Sequence, residues 1–247
     1  MTIRSALESA IDVLMDPAAV RGMSAWPKFS LASYRIVSAL IREGLSPASV
    51  IDAGANVGQF CVAAAKLLRP ASLYVFEPLP SAYERLQAHA KGLSGVHLQN
   101  VALGERQGEV EFHVNRHSHS SSILALAESH RAAFPEAIES ENIRVPLTTL
   151  DLALSDADLP RPCLLKLDVQ GYEDRVLEGA RETLPHVDYI VSELSFRPMY
   201  EGERNFREML DLIEGYGFRF IRPLDFLRDP RTNEILQIDA LFERAEA

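Results

Sequence analysis

The chain is poor in cysteine, in tryptophan and in positive charge. Its only thiols are Cys61 and Cys163, too few and too widely spaced for a disulfide framework or a cysteine zinc cluster. One falls inside a helical pattern and the other opens an apolar run, so both are expected as buried thiols in a reducing cytoplasm. Lys and Arg number 25 against 35 Asp and Glu, a formal net charge of -10. A protein that grips a phosphate backbone concentrates the opposite charge, so nucleic acid is not an expected partner. Charged residues interrupt every apolar stretch well short of a membrane span, and Glu8 and Asp12 break up the segment where a signal peptide needs an apolar core. Neither a membrane span nor export is expected.

What is present reads as an ordinary globular chain, 47% apolar and 24% charged over 247 residues, enough for one sizeable α/β domain with a covered sheet. Residues 1–47 form a helical extension, with Ile3, Leu7, Ile11 and Leu14 on one face, a break around Pro17 and Pro27, and a second apolar stripe from Leu31 to Ile41. From residue 48 to 247 short apolar runs alternate with helical segments, the pattern of βαβ units around a parallel sheet. Strands are expected at Ser49–Ala53, Ser72–Phe76, Val96–Gln99, Leu164–Leu167 and Tyr189–Ser192, then at Phe218–Ile221 and Ile235–Phe242. Helices are expected at Gly58–Leu68, Ser81–Ala90, Tyr172–Thr183 and Glu203–Glu214. Between the third and fourth strands lies a long insertion, in which the alternation of Val110, Phe112 and Val114 with Ile143, Val145 and Leu147 predicts a β-hairpin flanking a polar loop.

The sharpest feature is Val50-Ile51-Asp52-Ala53-Gly54-Ala55-Asn56-Val57-Gly58, an apolar strand ending in a glycine turn that opens a helix. Gly54 and Gly58 allow close backbone approach, and the helix start offers free N–H donors. The next strand ends in Phe76-Glu77-Pro78, which sets a carboxylate where a ribose diol would donate to its two oxygens. Asn56 stands where the dinucleotide fingerprint requires its second glycine, which disfavours a pyrophosphate. S-adenosylmethionine has none, and Asp52 is placed to meet its cationic methionine end.

These pieces, together with Val101-Ala102-Leu103-Gly104, the run from Lys166 to Glu173, Val176-Leu177-Glu178-Gly179-Ala180 and Gly215-Tyr216-Gly217-Phe218, resemble the FkbM-type methyltransferases from about residue 48 to the end. The resemblance implies a Rossmann-like class I methyltransferase fold: a seven-stranded, mostly parallel sheet with an antiparallel last strand. It also implies S-adenosylmethionine as methyl donor and a hydroxyl acceptor on a small molecule or sugar. By position Asp52, Gly54, Asn56 and Gly58 would cradle the methionine moiety, Glu77 the ribose, and Val101 with Ala102 the adenine. The family usually has Val where Ala53 stands and Ala where Tyr172 stands, and the second difference bears on the acceptor side.

Methyl transfer from a sulfonium needs alignment and removal of the acceptor proton. Asp168 and Glu193 end neighbouring strands at the carboxyl edge of the sheet and are the candidate catalytic acids. Asp168 could instead cap the following helix, Glu193 could pair with Arg197, and the two together could hold a divalent cation. His113, His117 and His119 lie near Ser120, Ser121 and Ser122 in the insertion. Of these His117 and Ser121, with Tyr172, are candidate acceptor contacts. Asp168-Val169-Gln170-Gly171 lacks the Pro-Pro-aromatic run of amine methylases. A metal-assisted natural-product O-methyltransferase and a non-catalytic cofactor-binding module are the alternatives, and an amphipathic N-terminal helix would suit a homodimer.

Overall fold

The computed structural model of the protein describes residues 16–115, 121–134 and 139–245. The chain begins with α1 (Pro17–Ala25) and α2 (Leu31–Arg42). Ser30 caps α2, its side chain accepting the Ser33 N–H at 3.4 Å, and the helix turns Val37 and Leu40 inward. The stripe of Ile3, Leu7, Ile11 and Leu14 lies outside the described residues.

Seven strands form the main sheet: β1 (Ser49–Ala53), β2 (Ser72–Phe76), β3 (Val96–Gln99), β7 (Cys163–Leu167), β8 (Tyr189–Ser195), β9 (Phe218–Arg228) and β10 (Ile235–Arg244). Their order is β3-β2-β1-β7-β8-β10-β9. The first five run parallel, and β10 is antiparallel to both of its neighbours. The expected seven-stranded, mostly parallel sheet with an antiparallel last strand is therefore the observed one. Alternation along the strands feeds two cores, as a doubly covered sheet requires. Val50, Val75, Leu164 and Val191 face α2, α3 (Gln59–Leu67) and α4 (Pro80–Ala90). Ile51, Leu165, Leu167 and Ile190 face α6 (Leu150–Ala153), α7 (Glu173–Glu178) and α8 (Phe206–Gly215). At about 1.5–3 kcal/mol for each large apolar side chain removed from water, these two layers supply most of the drive to fold.

The insertion is more than a hairpin. β5 (Gly108–Asn115) and β6 (Glu139–Thr148) pair antiparallel as expected, and the short β4 (Ala102–Leu103) adds to β6 in parallel, giving a second sheet of order β4-β6-β5. Phe112, Val114, Val145 and Leu147 of this sheet pack on Val57, Leu79 and Ala82. Between β5 and β6 the chain also forms α5 (Glu128–Ala133), whose six residues are too short to leave a period in the sequence.

Several expected boundaries move for identifiable reasons. α7 ends at Glu178 rather than Thr183, because Gly179 presses against the backbone: a Cβ there would lie 2.0 Å from the Gly104 carbonyl oxygen. α8 starts at Phe206, not Glu203, since Asn205 is the cap. Its side chain accepts the N–H groups of Arg207 and Glu208 while Glu208 reaches back to the Asn205 N–H. β8 runs on past Ser192 to Ser195, so Glu193 lies within the strand. β9 continues through Pro223, whose lack of an N–H is tolerated because β9 is an edge strand. Asn205→Ala removes the capping box and should cost about 1 kcal/mol, read as a fall of about 2–4 °C in Tm with methyl transfer unchanged.

Candidate active site

The chain goes outward from β1 through β2 to β3 and then crosses back to lay β7 on the other side of β1. At that reversal the carboxyl ends of β1 and β7 diverge, and a crevice opens between the loops that leave them. The β1–α3 turn bends into it with positive φ at Gly54 (85°), Asn56 (50°) and Gly58 (90°). Gly54 is required by the neighbouring strand: a Cβ would lie 1.9 Å from the Asp168 carbonyl oxygen. Gly54 and Ala55 donate their N–H groups to the Phe76 carbonyl, 3.0 Å each, which clamps the turn to β2. One residue on, the Asn56 N–H donates to Glu77 Oε2 at 2.7 Å and the Leu79 N–H to Glu77 Oε1 at 2.8 Å. Glu77 is thus buried and aimed by the backbone. Burial pushes its carboxyl up to about 7, against the opposing pull of those two N–H donors.

The crevice is a cavity of about 540 Å³, a size suited to a nucleoside with a small partner. One side is the Glu77 carboxylate beside Phe76, Val101, Ala102 and Leu103. The opposite side carries Asp168, Gln170, Glu193 and Gln237, and Phe112, Ser121, Ile123, His130 and Phe134 of the insertion close over it. Beneath the acidic side lies Lys166, whose ammonium contacts Asp168 Oδ2 at 2.8 Å and stands 5.3 Å from the centre of the Phe60 ring. Burial alone would lower that ammonium's proton affinity. Asp168, Asp52 and Asp239 more than offset it, so the lysine is held charged. Asp52 itself is fully buried next to Lys166, both oxygens without a hydrogen bond of normal geometry, and burial raises its carboxyl to about 6 although Lys166 opposes the shift.

Glu193 Oε2 accepts from Gln170 Nε2 at 3.2 Å and from Gln237 Nε2 at 3.4 Å. Burial, then the charges of Asp168, Asp239 and Glu173, raises its proton affinity well above that of an ordinary carboxylate, and Lys166 only partly opposes this. Asp168 does not cap α7, whose cap is Tyr172 without a side-chain bond; its Oδ1 accepts from Gln170 Nε2 at 2.7 Å. Arg197 pairs with Glu234 rather than Glu193. Among the described residues no three His, Cys, Asp or Glu side chains come together as a metal-binding group.

A family model described as the methyltransferase FkbM domain matches residues 52–220. The chain belongs to the FkbM methyltransferase family. It is 31% identical over 196 residues to 2-O-methyltransferase NoeI of Sinorhizobium fredii, covering 77% of this chain and 80% of that protein. Hexuronic acid methyltransferase AglP of Haloferax volcanii is 23% identical over 161 residues, 64% of this chain and 61% of that one. Among solved structures, a protein of the NADB-Rossmann superfamily from Streptococcus agalactiae superposes with a TM-score of 0.50 at 12% identity, covering 91% of this chain and 72% of that one. That likeness concerns the Rossmann-like fold alone.

In this FkbM methyltransferase the cavity wall brings together Gly54, Asn56, Glu77, Val101, Ala102, Ser121, Asp168 and Glu193 from the residues singled out in the sequence. Asp52 is fully buried behind the wall, paired in register with Lys166 on β7. Gly58 also stays out of it: it starts α3, and a Cβ there would lie 2.8 Å from Leu86 Cδ1. Tyr172 turns away and donates to Glu105 Oε2 at 2.9 Å, lining a separate depression. His117 and His119 lie outside the described residues, and His113 faces Asn142 at 3.1 Å. Sequence reasoning passed over Gln170, Gln237, His130 and Phe134. Gln170 stood within a quoted motif, but the other three reach the cavity from distant segments and carry no local signal.

Gly54 was expected to serve the ligand, whereas the clash geometry makes it serve the β1–β7 junction as well. Gly54→Ala should therefore destabilise the fold by about 2–4 kcal/mol, from overpacking against backbone and an unfavourable positive φ. Urea unfolding measures it, and a variant as stable as wild type would mean that the junction yields freely.

Proposed function

We propose that this enzyme moves a methyl group from S-adenosylmethionine to a hydroxyl of a small uncharged acceptor, most naturally a carbohydrate. The observation that carries the reading is Glu77: a buried carboxylate aimed by two backbone N–H groups, set beside an apolar slot and facing an acid pair across one cavity. In this reading the free lone pairs of Glu77 accept the ribose hydroxyls and Val101, Ala102 and Leu103 flank the adenine. Gly54, Asn56 and Asp168 receive the methionine end, with Asp52 and Gly58 supporting the turn from behind.

When bound, the donor supplies an electrophilic methyl on a sulfonium. The chain's own part is to dry the site, to line up the acceptor oxygen and to take its proton as the new C–O bond forms and the C–S bond breaks. Glu193 is the better base of the two acids. Asp168 is paired with the Lys166 ammonium, while among the described residues Glu193 is met by the amides of Gln170 and Gln237 and has a raised proton affinity. Asp168 then orients the acceptor and balances cationic charge. Ser121, with its hydroxyl oxygen accepting the Asn115 N–H at 2.9 Å, shapes the acceptor end, and His117 of the same insertion is assigned to its approach.

The relatives point to two acceptor chemistries, since one is named a 2-O-methyltransferase and the other a hexuronic acid methyltransferase. The acid pair favours a neutral acceptor. At an effective dielectric near 20, a carboxylate about 6 Å from another costs roughly 3 kcal/mol. Among the described residues no helix is long and apolar enough to cross a membrane; we place the enzyme in the cytoplasm on its two buried free thiols, and propose a homodimer through the N-terminal segment.

Three measurements test this reading. Calorimetry should show S-adenosylmethionine affinity falling as pH drops through about 7, because the ribose hydroxyls need ionised Glu77 and burial holds that carboxyl partly protonated there. Glu77→Ala should abolish this pH dependence and cost about 1.5–3 kcal/mol of binding. Glu193→Gln should keep cofactor affinity within a few-fold while lowering methyl transfer about a hundredfold or more. Radiolabelled transfer to neutral methyl glycosides should exceed transfer to the matching uronates by about tenfold or more; uronates accepted equally well would overturn the neutral acceptor.

A further inference from the structure

Between the two acids of the cavity wall stands Gln170, and every polar atom of its side chain is engaged. Its Nε2 donates to Asp168 Oδ1 at 2.7 Å and to Glu193 Oε2 at 3.2 Å. Its Oε1 accepts the Tyr200 O–H at 2.5 Å. Its backbone carbonyl accepts the Ser122 O–H at 2.6 Å, which ties the β7–α7 loop to the insertion. The residue holds this pose with φ at 59°, a region that few side chains other than Asn and Asp adopt. Gly171 follows at φ 92°, and a Cβ on it would lie 3.0 Å from Tyr200 Cβ, so the backbone has made room for that tyrosine.

The orientation of the amide follows from its partners. Burial and the surrounding acids hold the Tyr200 phenol protonated at neutral pH, so it presents a donor, and the amide must offer it the oxygen. The NH₂ is thereby committed to the two carboxylates. An inverted amide would set its oxygen lone pairs against theirs.

We infer that Gln170 is a positioning residue for methyl transfer: one amide group holds Asp168 and Glu193 side by side and aims Glu193 at the acceptor hydroxyl. This rests on Glu193 as the base. The groups that face Glu193 are Lys166 from β7 and Asp168 just after it, Asp239 and Gln237 from β10, Glu173 from α7 and the Tyr200 phenol. Of these Gln170 touches two directly, and its removal takes a donor from both Asp168 and Glu193 at once. Hydrogen bonds to a carboxylate favour its charged form, so their loss moves the proton affinity of Glu193 upward.

The test uses the full chain and two variants. Gln170→Asn suits the positive φ but is one methylene too short to span Asp168, Glu193 and Tyr200, and Tyr200→Phe removes only the lock on the amide. Carboxyl-¹³C NMR on glutamate-labelled protein without acceptor reads Glu193, its signal assigned by its loss in Glu193→Gln. In Gln170→Asn that signal should titrate about half a pH unit or more higher than in wild type. With neutral methyl glycosides kcat should fall about tenfold or more, at the lower end of what acid–base positioning contributes. The KM for S-adenosylmethionine should stay within a few-fold, and the acid limb of kcat should move to higher pH. Tyr200→Phe should do the same to a smaller degree. If Gln170→Asn lowers Tm but leaves the titration and the acid limb at their wild-type positions while Glu193→Gln is inactive, Gln170 is a loop prop and this inference falls alone. Full activity in Glu193→Gln would instead overturn the choice of base, and the catalytic part of this inference with it.

Discussion

Lys166 carries its ammonium under the carboxyl edge of the sheet, 5% exposed, against an Asp168 whose side chain is 32% exposed to the cavity. Asp52, Asp168, Glu193 and Asp239 all lie within its electrostatic reach. Taking one isolated carboxylate out of water costs several kcal/mol, and four on adjacent strands would force most of them to protonate. One central cation offsets part of the cost of burying Asp52 and pairs directly with Asp168. Of the two acids that line the cavity it touches Asp168, whereas burial and neighbouring charges raise the proton affinity of Glu193 on β8. The division of labour between the two cavity acids thus follows from which of them the lysine touches.

A second constraint, steric rather than electrostatic, sets where this charge cluster opens. The backbone of Gly54 lies so close to the Asp168 carbonyl that no side chain fits between. The strands can approach there only because the chain leaves them in different directions, toward α3 and toward α7. The Asn56 N–H then finds Glu77, and the loop after Asp168 curls back through Gln170 and Gly171. The Glu77 side and the Asp168 side of the cavity are consequently two lips of one junction, and a shift in either strand would be felt on both.

The insertion supplies what a bare sheet edge lacks. Ser122 binds the Gln170 carbonyl, and His130 packs edge-on against Phe134 and Tyr200 with ring centroids 5.5 Å apart. Phe112 and Ile123 add apolar cover. These contacts shield the acid pair from water, and excluding water strengthens the electrostatic interactions that a proton transfer depends on.

Period and punctuation in the sequence were sufficient for the parallel sheet, for the glycine turn at Gly54 and for Glu77 at the next strand tip. Each is encoded within about ten consecutive residues, by apolar runs of strand length and by residues whose backbone freedom is unusual. The same local reading went astray where a neighbour distant in sequence decided the outcome. α7 stops at Gly179 because Gly104 is in the way, Asp52 sits behind the wall because it answers Lys166 across the sheet, and Tyr172 turns to Glu105. Gln170 was visible as a letter in a motif, but its reach to Asp168, Glu193 and Tyr200 is a property of three segments meeting. Strand pattern and turn chemistry are short-range, so the sequence alone determined the sheet and the glycine turn after β1. Burial and charge balance at the cavity are sums over the packed molecule, so only the tertiary structure decided which acid the lysine pairs with and which has its proton affinity raised.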